Sequence, residues 1–124
     1  MYNEKISGIP INVFELQQEK VREGVFRSAY ATDEAMFVMN VLSKGMDLYP
    51  HVHEDFDQLA IVTAGECDYY LEDVPHRLTP GSFLLVPAGT YHHAVPRSDV
   101  VHNLDVFFPS RPDFIHMLSY IEEL

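Results

Sequence analysis

Turn-forming residues divide this chain into many short segments, and that division constrains its fold more than any other feature. Between Val25 and Phe108, short runs rich in β-branched and aromatic residues alternate with turns such as Thr79-Pro80-Gly81 and Pro87-Ala88-Gly89. Short runs of this kind, broken by turn signals roughly every 8–12 residues, are typical of a β-sandwich or a closed barrel. The sequence therefore predicts an all-β fold with a barrel over about residues 25–108.

The end of the chain follows a different period. Pro112-Asp113 can begin a helix, with Asp113 as its N-cap. The apolar residues that then recur at helical spacing are Phe114, Met117, Leu118, Ile121 and Leu124. We expect a short helix over about 113–124, with its apolar stripe packed on the barrel or on a second subunit. A length of 124 residues suits a single domain.

The charge balance argues against two classes of partner. Nineteen acidic and 8 basic residues give a net charge of −11, which repels both the nucleic acid backbone and an anionic membrane surface. No window approaches the roughly 20 apolar residues of a membrane span. The first residues also lack the apolar segment of a signal peptide. We expect a cytoplasmic protein that acts on a small molecule.

Cys67 is the only cysteine, so no disulfide can form within the chain. This fits a reducing compartment. The neighbouring carboxylates of Glu66 and Asp68 are expected to raise the pKa of the thiol. We interpret Cys67 as a structural residue.

His51 and His53 are separated by one residue. In a strand, side chains two positions apart point to the same face. Two imidazoles on one face form a natural metal clamp, although the pair alone is also compatible with two unrelated surface histidines.

The spacing around this pair extends further along the chain. The residues in register are Gly45, His51, His53, Gln58 and Gly65, followed by Gly81, Pro87, Gly89 and His92. This pattern resembles both signature motifs of the cupin family, whose fold is a double-stranded β-helix, or jelly-roll barrel. The resemblance implies one divalent transition metal ion (Zn, Ni, Mn, Co or Fe) held by His51, His53, Gln58 and His92.

Gln58 departs from the family pattern, in which this position is usually Glu. Three neutral imidazoles and a neutral amide leave a divalent ion its full charge, which favours Lewis-acid chemistry over a higher oxidation state. Gln58 could instead hydrogen-bond a metal-bound water.

A second group of polar and aromatic residues follows in the last strand. Asn103, Asp105 and Phe107 share one face, and Arg111 comes four residues later. If that face lines the cavity, Asp105 could act as a general acid/base and Arg111 could bind a substrate carboxylate. Alternatively, Asp105 bonds the backbone and Arg111 is a surface residue paired with Asp113.

This combination resembles the KdgF-type cupins of pectin and alginate breakdown. Those enzymes open 4,5-unsaturated uronate monosaccharides to linear keto sugars with the help of a metal. The resemblance implies an isomerase- or lyase-type enzyme in which Asp105 and Arg111 are catalytic. Phe107 and Tyr91 are the aromatic residues expected to contact the substrate.

Other activities stay open at this point. The ligand set also resembles that of polyketide-cyclising cupins, whose larger apolar cavity could be lined by Phe37, Met39, Tyr69, Tyr91 and Phe107, although these residues could equally be core. Cupin dioxygenases are a further option if the metal is iron and two coordination sites stay open. The run from His53 to Val95 also resembles the sugar-sensing domain of AraC-type regulators, which is a non-catalytic alternative. A homodimer paired through the apolar stripe of the C-terminal helix is our expectation for the assembly.

Overall fold

The computed structural model describes residues 1–109 and 111–124. Within these ranges the chain forms nine strands. They are β1 (Glu19–Arg22), β2 (Val25–Ala31), β3 (Met36–Ser43), β4 (Asp57–Ala64), β5 (Cys67–Leu71), β6 (Val74–Leu78), β7 (Phe83–Val86), β8 (His92–Pro96) and β9 (Val100–Phe108). Strand β2 begins at Val25, β9 ends at Phe108, and β1 adds an edge strand before β2.

The strands form two antiparallel sheets. The larger sheet has the order β1-β2-β3-β9-β4-β7, and the smaller has the order β6-β5-β8. The last strand in sequence, β9, lies in the middle of the larger sheet, where it pairs with both β3 and β4. This is the predicted all-β jelly roll.

The two sheets face each other across an apolar core. Side chains alternate along each strand, so the larger sheet contributes Leu42, Val62 and Val101, and the smaller contributes Cys67 and Tyr69. Gly65 joins β4 to β5 at a positive φ of 75°, where an added Cβ would collide with the carbonyl oxygen of Val100. A glycine of the sequence motif is therefore required at this turn.

Two helical segments pack on the larger sheet beside β2 and β3. A short helix, α1 (Tyr2–Ile6), and a C-terminal 3₁₀ helix (Pro112–Glu123) pack on it. Leu118 and Ile121 are buried against the inward side chains of β2 and β3. Among the described residues, no helix is long and apolar enough to span a membrane.

The C-terminal helix differs from the prediction in two respects. It is a 3₁₀ helix, and its N-cap is Arg111 rather than Asp113. Asp113 cannot serve as the cap because its carboxylate accepts two hydrogen bonds from the Arg111 guanidinium. The apolar stripe packs on the chain's own barrel rather than forming a free pairing surface. Leu124, which was predicted to belong to the stripe, is 49% exposed.

The outer face of the larger sheet is apolar as well. Its side chains are those that point away from the core on β3, β9, β4 and β7. They include Phe37, Met39, Leu104, Val106, Phe108, Leu59, Ile61, Phe83 and Leu85. Phe37 and Met39, which the sequence suggested as cavity residues, therefore point away from the cavity.

Candidate metal centre

A cavity of about 410 Å³ opens between the two sheets and the C-terminal helix. Inward side chains of β2, β3, β4, β5 and β9 form its wall. The site residues His51, His53, Gln58, Asp105, Phe107 and Arg111 all line it. Residues from two separate sequence motifs therefore meet in one place.

The three histidines cluster at this cavity because the backbone pairs two of them. The N–H of His51 donates to the carbonyl of His92 at 3.0 Å, and the N–H of His92 donates back at 2.8 Å. His53 lies two residues beyond His51. The potential ligand atoms of the three rings are all within 4.8 Å of one another, which is a spacing that one metal ion can bridge.

Hydrogen bonds fix which ring nitrogens face inward. Nδ1 of His51 bonds the carbonyl oxygen of Tyr49, and Nδ1 of His92 bonds that of Thr90 at 2.8 Å. A carbonyl only accepts, so each Nδ1 carries the proton and each Nε2 keeps its lone pair. Nε2 of His92 is buried, with no hydrogen-bond partner in the described part of the chain.

The environment keeps the rings neutral. Burial, with neighbouring positive groups, lowers the pKa of both His51 and His53 to about 4. Burial also lowers the pKa of His92. Because a metal binds only the neutral ring, the three side chains are in their ligating form at neutral pH.

Gln58 adds a fourth acceptor. Its side chain, on β4, is 3% exposed. Its Nε2 donates to the hydroxyl of Tyr69 at 2.9 Å, and its Oε1 is buried without a partner among residues 1–109 and 111–124. Three buried acceptors, Oε1 of Gln58, Nε2 of His92 and Oδ1 of Asn103, thus have no hydrogen-bond partner in the described part of the chain, and the first two belong to candidate metal ligands. Unpaired buried acceptors are costly, and a cation satisfies them, so this donor set fits a metal ion.

Asp105 lies on β9, where its side chain accepts two hydrogen bonds. Asn40 donates at 2.9 Å and Asn103 at 3.0 Å, and the nearby Gln58 amide also favours the charged carboxylate. Burial raises the pKa of Asp105 to about 6 against the opposing effect of these bonds. A carboxyl group that titrates near neutral pH suits general acid/base catalysis.

Arg111 borders the cavity beside three aromatic rings. Its guanidinium carbon is 4.0 Å from the centroid of Phe114, 4.7 Å from Phe56 and 5.1 Å from Phe107. Its Nε and Nη2 donate to Asp113 at 3.1 and 2.6 Å. Arg111 is thus both a cavity residue and the partner of Asp113, which combines two interpretations that the sequence left as alternatives.

Tyr91 is placed differently from the other predicted site residues. It is 43% exposed and is not among the described residues that line the cavity. Its neighbour His92 is 1% exposed. The alternation that turns His92 inward turns Tyr91 outward.

Asn40 and Arg27 are polar cavity residues that the sequence did not indicate, and the role of Tyr69 was not foreseen. Asn40 is the one polar residue in the run from Met36 to Leu42 and has the inward parity of β3, a signal that could have identified it. Arg27 lines the cavity and pairs with Glu19 at 2.7 Å. Tyr69 was expected only as an apolar wall, and its hydroxyl contact with Gln58 was not foreseen.

Comparison with known proteins places the chain in a family. The model of the cupin domain family matches residues 37–107, which is more than half of the chain. Pectin degradation protein KdgF from Dickeya dadantii (strain 3937) is 29% identical over 98 residues, covering 78% of this chain and 89% of that protein.

Two further relatives show how the similarity extends. The solved structure of KdgF from Halomonas sp. superposes with a TM-score of 0.79 at 31% identity, covering 87% of this chain and 99% of that one. Protein SchB from Streptomyces halstedii is 35% identical over 81 residues, covering 62% of this chain and 58% of that protein. With its two sheets, its histidine cluster and these relatives, the chain belongs to the cupin family and is a KdgF-like cupin.

Proposed function

We propose that this chain is a metal-dependent enzyme that opens the ring of a 4,5-unsaturated uronate to give a linear keto sugar acid. The observation that carries the proposal is that Gln58 and Asp105, on the paired strands β4 and β9, line the same cavity as His51 and His53. This arrangement sets a proton carrier beside the candidate cation ligands in a single cavity. The similarity to a relative named as a pectin degradation protein supports a uronate as the substrate.

The residues that would hold the ion are His51, His53 and His92 together with Gln58 through its Oε1. A bound divalent ion supplies Lewis-acid polarisation of the substrate's hydroxyl or carboxylate oxygens. The neutral ligand set leaves that charge undiminished. Zn, Ni, Mn, Co and Fe all suit a site of three imidazoles and an amide.

Asp105 is the proposed acid/base. Ring opening of an unsaturated uronate is a tautomerisation: C4 gains a proton, the anomeric hydroxyl loses one, and the bond between C1 and the ring oxygen breaks. A pKa of about 6 gives Asp105 access to both protonation states near neutral pH. The amides of Asn40 and Asn103 hold each carboxyl oxygen in place.

Arg111 is the proposed contact for the substrate carboxylate. Its Nε and Nη2 already bind Asp113, so the substrate would bind Nη1 or displace Asp113. Phe107, 2% exposed, forms the wall between Arg111 and His53. An arginine flanked by aromatic rings is well suited to binding a planar carboxylate.

The test combines metal analysis with turnover. We expect about one ion per chain in protein purified without added metal, and loss of that ion in His51→Ala. His102→Ala is the matched control, because His102 lies on the outer face of β9 against Phe14. Asp105→Asn should keep the ion and lower kcat by roughly 10²–10⁴-fold. Turnover would be measured as the loss of ultraviolet absorbance from the substrate's double bond.

Three outcomes would change the proposal. Full activity in Asp105→Asn would remove the acid/base role. Wild-type protein that neither contains nor takes up a metal would remove the metal centre. Tight binding of uronates without turnover would favour the sugar-sensing alternative.

We also propose a homodimer, now through the outer face of the larger sheet. Phe83, Leu85 and Phe108 on this face are 65%, 57% and 58% exposed. Phe83 and Leu85 pair with Ile61 and Leu59 of β4, which pair in turn with Leu104 and Val106 of β9. In a chain of net charge −11, two copies repel each other least where they meet through an uncharged surface.

A further inference from the structure

The Gln58 side chain uses its two ends differently. A primary amide has two N–H donors and one carbonyl acceptor. One donor of Nε2 is directed to the Tyr69 hydroxyl at 2.9 Å, and the amide lies diagonally across from Asp105 on the paired strand β9, where it favours the charged carboxylate. The remaining atom, Oε1, is buried without a partner in the described ranges.

These contacts fix the orientation of the amide. Turning it over would point the carbonyl oxygen at the Asp105 carboxylate and the N–H groups at the histidine cluster. That orientation sets the carbonyl oxygen against a carboxylate and directs positive charge at the place where a cation would bind. The observed orientation instead presents an acceptor to the ion.

Tyr69 is well placed to hold this arrangement. It is 3% exposed and belongs to β5 of the smaller sheet, whereas Gln58 belongs to β4 of the larger sheet. Its ring is also nearly parallel to that of His92, at 10° and 6.1 Å between centroids. One side chain therefore contacts two of the four candidate metal ligands from the opposite wall.

We propose that Tyr69 is a positioning residue that locks the Gln58 amide, and that the locked amide joins the metal centre to Asp105. The inference deepens the proposed function and rests on it. It also gives a physical reason for glutamine at this position, because a glutamate has no N–H to donate to Asp105 and would set two buried carboxylates against each other.

The first test is the metal affinity of Tyr69→Phe, measured with Zn²⁺ as the probe on metal-free protein by competition with a chromogenic chelator. Deleting one oxygen should weaken Zn²⁺ binding by roughly 10–100-fold, the usual effect of losing a partner that orients a ligand. Tyr70→Phe is the matched control, since Tyr70 is the next residue of β5 and stacks on His93 instead. It should leave the affinity unchanged.

A double-mutant cycle separates positioning from general damage. In a Gln58→Met background, the further change Tyr69→Phe should have almost no effect on Zn²⁺ affinity, because the hydrogen bond is already lost. Equal effects of Tyr69→Phe in both backgrounds would overturn the inference, as would wild-type affinity in Tyr69→Phe.

Gln58→Glu tests the link to Asp105 without removing a ligand. The carboxylate can bind Zn²⁺ and accept from Tyr69, so affinity should be kept or increased while kcat falls at least tenfold. Wild-type kcat in this variant would overturn the link. Because the Zn²⁺ measurements need no substrate, failure of the uronate activity and failure of the Tyr69 role give different results.

Discussion

The side chains of this barrel differ mainly in how deeply they are buried. Cys67 is fully buried between the sheets. Burial above all, and then the charges of Asp68 and Asp105, raise the pKa of its thiol to about 11. The sequence predicted the correct direction of this pKa shift but the wrong main cause. Neighbouring carboxylates can be read from a sequence, whereas the burial of a side chain cannot.

This environment predicts an unreactive thiol. With a pKa of about 11, roughly one Cys67 in a thousand is a thiolate at pH 8, and the buried sulfur is shielded from reagents. A chromogenic disulfide reagent should therefore react with native protein only at the rate of unfolding. In guanidinium chloride the same reagent should detect one thiol per chain, and rapid reaction under native conditions would contradict the prediction.

Strand alternation explains which site residues could be predicted. Asp105 and Phe107 follow from the period of two along β9. His51 and His53 lie outside the nine strands, with only an isolated bridge at His51, so their convergence depends on the pairing of His51 with His92. Tyr91, which precedes the inward His92, is 43% exposed. The bond between Gln58 and Tyr69 could not be predicted, because it joins strands of different sheets and depends on how those sheets stack.

At the scale of elements, the C-terminal helix serves as part of the core. Ile121, on the inner side of this helix, is fully buried, whereas Ile115 in the same helix is 48% exposed. Ile121→Ala should lower the free energy of unfolding by about 2–5 kcal/mol through lost burial and a cavity.

The control for this prediction lies in the same helix. Ile115→Ala makes the same change in side-chain size at an exposed position and should cost about 0.5 kcal/mol or less. Both values would come from denaturant titration followed by circular dichroism. Similar losses for the two variants would mean that the helix does not pack as described.

The sequence predicted where this helix lies but not its geometry. Apolar spacing indicates a helix and its buried stripe. The cap depends on a competition that the sequence does not display: the Asp113 carboxylate could bond either the first backbone amides or the Arg111 guanidinium. The guanidinium offers two charged donors and is the partner observed.

At the scale of the whole molecule, the exposed apolar face predicts self-association. Phe83→Ser combined with Leu85→Ser should convert a dimer into a monomer in sedimentation velocity experiments, with the circular dichroism spectrum unchanged. These two side chains are 65% and 57% exposed, so replacing them removes interface area without opening the core.

Val74→Ser is the control for this change. Val74 is 56% exposed but lies on β6 of the smaller sheet, away from the proposed interface. It should leave the sedimentation coefficient unchanged. A wild-type protein that is monomeric at all concentrations would contradict the homodimer.

The strand order was beyond the reach of local patterns. Turn signals identify hairpins such as β5–β6, whose pairing is sequential. The insertion of β9 between β3 and β4 brings together residues about 60 positions apart, such as Asn40 and Asn103. It is this insertion that carries Asp105 to the cavity and makes one site out of two motifs.

The reciprocal backbone bonds between His51 and His92 have a consequence for how an ion would be captured. These two ligand residues are 41 positions apart, yet the peptide groups that join them belong to the folded chain and need no cation to form. Folding, rather than metal binding, therefore carries the entropic cost of bringing the two residues together. An arriving ion would meet a preorganised group of candidate ligands and would exchange its hydration shell for imidazoles that are already in place.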